Sequence, residues 1–259
     1  MIAIHEITKD ISCFHVPYKD IFVGIYVINT DCGTVLFDAA ANEHDVDTWI
    51  CPALKQLGVE PSYIFISHDH TDHSGGLPWA AKAFPNAPIL SSQEAFLEKY
   101  PNAKLLHDGE VVCDVLQVVT IPGHTLDATA LLDKRTNTLV SGDCLQSYGI
   151  FGSGKWYANI HYPTKYVEAI QKLKKLPVEN VASAHDYHPH GMVHYGAQAA
   201  EKFIDSCLSA LDRIRCAIIS EPQKNSEQLA QQLNDGSVPT VSADVVEAVR
   251  KAVAQGTQF

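Results

Sequence analysis

Residues Ser67–Gly76 read SHDHTDHSGG and follow directly on the apolar run YIFI at 63–66. Three histidines and two aspartates occupy the six positions 68–73. Alternate residues of an extended chain project to one side, so His68, His70 and Asp72 share a face where the chain leaves a strand. His73 is one step out of phase, and Ser74-Gly75-Gly76 allow a sharp turn that redirects it into a following helix. Imidazole and carboxylate are ligands for zinc, iron or manganese. Burying five such groups together without a cation would forfeit their solvation. The pairs His68/His70 and Asp72/His73 offer places for two ions side by side.

Working outward, short β-branched runs alternate with helical patterns. ISCFHV (11–16), FVGIYVINT (22–30) and TVLFDAA (34–40) read as a meander of strands, with turn chemistry at Asp31-Cys32-Gly33. Residues 43–57 space Val46, Ile50, Ala53, Leu54 and Leu57 as one helix face, and Gly58 stops it. Short helices are expected at 77–84 and 93–100, and a strand at 87–92 between them. Residues 110–143 are β-rich, a helix follows at 166–176, and VENVASA (178–184) returns to a strand. From Tyr195 to Ile219 an amphipathic helix lines up Phe203, Ile204, Cys207, Leu208, Leu211, Ile214 and Ile218. Two short helices close the chain, the first with a capping box from Asn225 and Gln228, the second opened by Ser242 and closed by Gly256. Mixed order with antiparallel runs predicts sheets covered by helices on their outer faces, an α+β class.

The 259 residues carry 46% apolar and 19% charged side chains, an ordinary globular balance, with a net charge of −11. An acidic surface disfavours nucleic-acid backbones, and KLKK at 172–175 suits a solvated helix face. No apolar run approaches the about 20 residues of a membrane span, and the charged N-terminus lacks the pattern of an export signal. The seven cysteines are scattered without CxxC spacing, as expected of reduced thiols in the cytoplasm. GSGK at 152–155 lacks the spacing and preceding strand of a phosphate-binding loop.

HDHTDH at 68–73 resembles the HxHxDH signature of the metallo-β-lactamase superfamily. Further family positions fall in order: His124 in IPGHT, Asp143 in SGDCL, His185 in ASAHDYH, and Asp38 at the end of TVLFDAA. The resemblance spans roughly residues 1–195. It implies a four-layer αββα sandwich with its site at one edge between the sheets, here followed by a C-terminal helical extension: 1–220 the catalytic unit, 221–259 the extension. It also implies that His68, His70 and His124 hold one divalent ion, that Asp72, His73 and His185 hold a second, and that Asp143 bridges them. Zinc is the first expectation, with iron or manganese as alternatives. His188, His190 and His194 compete with His185 for the last ligand position, which His185 fills best because it directly follows a strand.

Paired ions and a shared hydroxide imply hydrolysis, with Asp72 as the catalytic residue that passes a proton to the leaving group. The segment QSYGIFGSGKWYANIHY (146–162) reads as a mobile, aromatic loop, with Tyr148, Trp156 and Tyr157 as candidate substrate contacts and Lys155 as the only cation nearby for a substrate carboxylate. A carboxylic ester, thioester or lactone of a small molecule is the expected substrate. The alternatives are a phosphodiesterase of the same superfamily, a mononuclear iron dioxygenase, or a non-catalytic ligand-sensing regulator. The last two helices are too short to stand alone, and are expected to cap the site's mouth or to form a homodimer contact.

Overall fold

The computed structural model describes all 259 residues. Strands β1 (Ile4–Thr8), β2 (Ile11–Tyr18), β3 (Ile21–Thr30) and β4 (Gly33–Phe37) form an antiparallel meander. Strands β5 (Pro61–Ile66), β6 (Ile89–Ser91) and β7 (Lys104–Leu105) extend the same sheet in parallel. Between β4 and β5, α1 (Glu43–Asp45), a π-turn at Val46–Ile50 and α2 (Cys51–Leu57) make one helical run, ended by Gly58 at φ +70°. The connections that follow hold α3 (Thr71–Ser74), α4 (Leu77–Ala83) and α5 (Ala95–Lys99).

A second sheet contains β8 (Val111–Val112), β9 (Leu116–Thr120), β10 (Thr129–Asp133), β11 (Thr138–Gly142), β12 (Asn180–Tyr187) and β13 (Gly191–His194). Its spatial order is β13-β12-β11-β10-β9-β8. Only the β11–β12 pair is parallel, and its crossover carries α6 (Pro163–Leu173). The chain ends in α7 (Ala197–Ser220), α8 (Ser226–Leu233) and α9 (Ala243–Ala254).

The strands read as continuous apolar runs because both faces of each sheet are covered. In β3, Val23, Ile25 and Val27 meet Val46, Ile50, Leu54 and Leu77 of the helical layer, while Tyr26 and Ile28 point into the space between the sheets. There they join Phe37, Phe65, Leu116, Val118, Leu131 and Val140. In the second sheet, Ala130, Leu132 and Leu139 face α6 and α7 instead. The result is four layers, helix–sheet–sheet–helix, as the resemblance implied. The Tyr26 hydroxyl crosses the middle to donate to the Ser183 carbonyl at 2.5 Å.

Some elements depart from expectation. Strands β1, β7 and β13 are additional; they are short edge segments in which alternation is too brief to register. Helix α6 starts at Pro163, ahead of the expected residue 166, because proline at the first position supplies a preset φ and no wasted N–H. Helices α8 and α9 do not extend into solvent. Leu229, Val245, Val246 and Val249 share one apolar cluster with Phe203, Leu211 and Ile214 of α7, so their partner is α7 of the same chain. The Asn225–Gln228 capping box and the Ser242 cap are both formed. No helix is long and apolar enough to cross a membrane.

Leu229 is fully buried in that cluster. Leu229→Ala is expected to lower unfolding stability by about 2–5 kcal/mol, seen by circular dichroism as one cooperative transition at lower denaturant. Loss of the C-terminal helices alone, with the remaining midpoint unchanged, would contradict this packing.

Candidate metal centre

The site lies where the C-terminal ends of β4, β5, β11 and β12 meet. Asp38, directly after β4, is fully buried and sits at φ +68°, a left-handed conformation that is costly for a residue with a Cβ. Its carboxylate is nevertheless satisfied. Oδ1 accepts the Ser67 N–H at 2.8 Å, and Oδ2 accepts the Ser67 hydroxyl at 2.9 Å and His73 Nδ1–H at 2.7 Å. With the Ser67 proton committed to Asp38, the Ser67 oxygen is left to accept from His68 Nδ1–H at 3.0 Å. Gly75 and Gly76 bring the ligand loop against the backbone beyond Asp38: a Cβ on Gly76 would lie 2.0 Å from the Ala39 carbonyl oxygen, and one on Gly75 2.3 Å from that of Ala41.

The other histidines are aimed the same way. His124 donates Nδ1–H to the Asn159 carbonyl at 2.7 Å, and His185 donates to the Phe22 carbonyl at 2.5 Å. Four rings therefore have Nδ1 tied to fixed oxygens, which sets their tautomer and leaves Nε2 directed at the site. His70 differs, presenting Nδ1 to His124 Nε2 at 2.8 Å, where one proton at most can sit.

These atoms converge in three overlapping groups: His68–His70–His124, His68–His73–Asp143, and Asp72–His73–His185. Within each, the ligand atoms lie inside 4.8 Å of one another. Asp143 stands between them, Oδ1 3.2 Å from His185 Nε2 and Oδ2 3.6 Å from both His73 and His124 Nε2. Asp72 Oδ2 lies 3.5 Å from His185 and 3.7 Å from His73. The Tyr187 hydroxyl steadies Asp143 Oδ1 at 3.1 Å. His68 Nε2 and His73 Nε2 are buried with no hydrogen-bond partner. Unpartnered imidazole nitrogens of this kind, beside carboxylates in a dry setting, fit divalent cations.

Without ions the carboxylates hold protons on the rings instead. Burial alone would favour neutral imidazole, but Asp143 and Asp72 outweigh it at His185, whose pKa rises to about 9. Burial dominates at His124 and pushes it down to about 4. Burial works against ionisation of Asp143 too, yet His185 and His73 hold its carboxyl well below the usual range.

All seven sequence-derived ligands meet here. The competitors of His185 lie elsewhere: His188 stacks on Phe151 at 3.6 Å, His194 on Phe203 at 4.1 Å, and His190 beside the same Phe203. Asp69 is exposed and accepts from Gln93. Cys144 is buried and packed in the core, its thiol pushed up by burial.

A cavity of about 270 Å³ opens onto His70, Asp72, His124, Asp143 and His185. Trp156 and Tyr157 line it, but Tyr148 and Lys155 do not. Tyr148 packs on the core edge-on to Tyr157, and Lys155 is exposed outside the cavity, its N–H and that of Trp156 both bonded to Ser153 Oγ. The cation of the wall is instead Lys19, beside Tyr18 and Ile21 at the β2–β3 hairpin, with Gln146, Ile150 and Asn159 opposite. Sequence reasoning missed these because only the fold brings the hairpin to the site. Hydrogen bonds tie the 146–162 segment to its surroundings: Ile150 N–H bonds Trp156 O, Phe151 N–H bonds Asp186 O, and the Tyr157 hydroxyl donates to Ala210 O in α7. Thr240, in the α8–α9 connection, gives both N–H and hydroxyl to the Gly154 carbonyl. No residue beyond His185 lines the cavity, so the C-terminal helices brace the loop rather than cap the mouth.

Fold and ligand set define a class. The family model described as Metallo-beta-lactamase superfamily matches residues 20–185, and the chain belongs to that superfamily. An uncharacterized protein of Bacillus subtilis (strain 168), YobT, is 30% identical over 161 residues, 52% of this chain and 68% of that one. A hydroxyacylglutathione hydrolase of Pectobacterium carotovorum subsp. carotovorum is 32% identical over 142 residues, 53% of each chain. The chain thus spans about half the length of that relative. The crystal structure of a metallo-beta-lactamase family protein from Thermus thermophilus superposes with TM-score 0.70 at 17% identity, covering 97% of this chain and 95% of that one. At that identity the likeness shows the fold.

Two outcomes are expected. Ser67→Ala removes the link from Asp38 to His68 and should weaken zinc binding about 10–100-fold in chelator competition; unchanged affinity would deny Ser67 that role. Because His185 is protonated below about pH 9 in the ion-free protein, zinc uptake at pH 7 must displace that proton. Adding zinc to metal-stripped protein in weak buffer with an indicator should release protons, and affinity should rise towards pH 9.

Proposed function

We propose that the chain is a binuclear metal-dependent hydrolase that cleaves a carboxylic ester, thioester or lactone of a small molecule. The observation that carries this reading is the position of Asp143, whose two oxygens face histidines of both ligand groups. Thioesters come first, because the hydroxyacylglutathione hydrolases act, by name, on an acylated thiol. His68, His70 and His124 would hold one ion and Asp72, His73 and His185 the other, with zinc first and iron or manganese as alternatives. Two such ions would supply a hydroxide at neutral pH and Lewis-acid polarisation of an acyl oxygen.

The chain's own residues do the rest. Asp72 is partly exposed to the cavity, with Oδ2 beside His185 and His73; as the attacking hydroxide oxygen bonds the acyl carbon and the acyl–sulfur or acyl–oxygen bond breaks, it would take up the proton of that hydroxide and pass it to the departing atom. Ile21, Ile150, Trp156 and Tyr157 give the acyl group an apolar wall and exclude water. Gln146 braces the metal side, donating to the Asp143 carbonyl and the Tyr187 hydroxyl while accepting from the Asn159 N–H. Net charge and seven free cysteines support a cytoplasmic small-molecule enzyme rather than one acting on nucleic acid.

The test pairs elemental analysis of the purified protein with thioester, lactone, carboxylic-ester and phosphodiester substrates. Metal-dependent turnover of an acyl substrate is expected, with His70→Ala lowering kcat/KM by at least about 100-fold while circular dichroism is unchanged. Full turnover after metal removal, or a clear preference for the phosphodiester, would overturn the reading.

A further inference from the structure

We infer that Lys19, at the tip of the β2–β3 hairpin, binds a carboxylate carried by the substrate away from its reacting bond. The inference rests on the hydrolase reading and adds a substrate class: acyl compounds with an anionic tail.

Tyr18 pairs with Ile21 across the hairpin, so Lys19 and Asp20 form a two-residue loop. Lys19 adopts φ +53° there, a conformation that glycine or asparagine takes at less cost. Turn chemistry therefore does not account for a lysine, and a strained residue at a cavity rim points to a use for its side chain. That side chain is the only lysine or arginine of the lining. Its Nζ lies 4.7 Å from the Tyr18 ring centroid and 5.6 Å from that of Trp156. Two aromatic faces orient an ammonium group and shed part of its water, without neutralising it as a carboxylate would. The Trp156 indole N–H, in the same wall, is buried and has no acceptor in the protein.

The rest of the lining explains why such a cation is needed. Asp72 and Asp143 face the same cavity, where Lys19 is the only lysine or arginine, and the chain carries a net charge of −11, so within the cavity it is the hairpin, beside any bound ions, that offers an anionic substrate an opposite charge. A cation at the rim draws such a substrate in and fixes its remote end. Ile21, Ile150 and Tyr157 then enclose the apolar stretch between that end and the reacting bond.

The experiment compares pentanoyl and glutaryl thioesters of N-acetylcysteamine, which match in length and differ by one carboxylate. The ratio of kcat/KM, glutaryl over pentanoyl, is the quantity read. Lys19→Met should lower it about three- to tenfold, Lys19→Arg should largely preserve it, and Lys19→Glu should lower it further. Raising salt should erode the wild-type ratio and leave that of Lys19→Met flat. The corresponding amides, which lack the labile bond, give the same comparison as a ratio of Kd by calorimetry. Absence of turnover with both thioesters would count against the hydrolase reading while the amides still decide the role of Lys19. A ratio unmoved by Lys19→Met in both formats, or a salt dependence that survives it, would overturn the inference.

Discussion

The buried carboxylate of Asp38 is the constraint on which the site depends. A carboxylate removed from water costs several kcal/mol unless donors replace its hydration, and here three do: two from Ser67 and one from His73. Satisfying Asp38 and orienting the ligands are the same event. Its Oδ2 holds the Nδ1 proton of His73, so Nε2 is the nitrogen aimed at the site, and the Ser67 hydroxyl sets His68 the same way. The arrangement requires β4 and β5 to lie side by side and in parallel, with Phe37 opposite Phe65. The Asp38 N–H closing on the Phe65 carbonyl at 2.8 Å fixes the left-handed exit.

The second sheet supplies Asp143 and His185, so the site is only as well defined as the stacking of the two sheets. Several contacts set that stacking at the site itself. The Thr129 N–H bonds the Ser67 carbonyl at 2.9 Å, and the His185 ring is tied to the Phe22 carbonyl in β3. Gly142, at φ +53°, leaves room for Ser67, whose hydroxyl oxygen would lie 2.8 Å from a Cβ there. The large apolar seam of Tyr26, Phe37, Phe65 and Val140 lies beneath these bonds, and supplies the rigidity that lets imidazoles hold position before any ion arrives.

The convergence of the candidate ligands was legible in the sequence because it is local chemistry near strand ends. Asp143 directly follows β11 and His68 comes just after β5; His70, Asp72 and His73 continue from β5 into α3, His124 comes shortly after β9, and His185 lies within the last residues of β12 rather than after it. Asp38 was legible in position but not in purpose, since its donors lie 29 and 35 residues away along the chain. Substrate contacts were the illegible part. Lys155 stands beside Trp156 in sequence, yet is exposed outside the cavity, while Lys19 reaches the cavity from more than a hundred residues earlier through a hairpin whose placement only the assembled sheet decides. Short edge strands such as β13 carry too few alternating positions to register, and its segment reads first as spare histidines.

The two halves of the pocket are held by different means, and this has a chemical consequence. The candidate metal ligands are tied to neighbouring strands and to one another through buried bonds, where a single change disturbs several rings. Trp156 and Tyr157 sit on a loop held from behind by α7 and the α8–α9 connection, and Lys19 sits on an exposed turn. Neither the loop nor the hairpin contributes an atom to the ligand set. The aromatic wall is nevertheless joined to the histidine cluster at two points of its loop, the Asn159 carbonyl that holds His124 Nδ1 and the Gln146 amide that donates to the Asp143 carbonyl, so changes at Trp156 or Tyr157 are free of the cluster only where those two bonds persist.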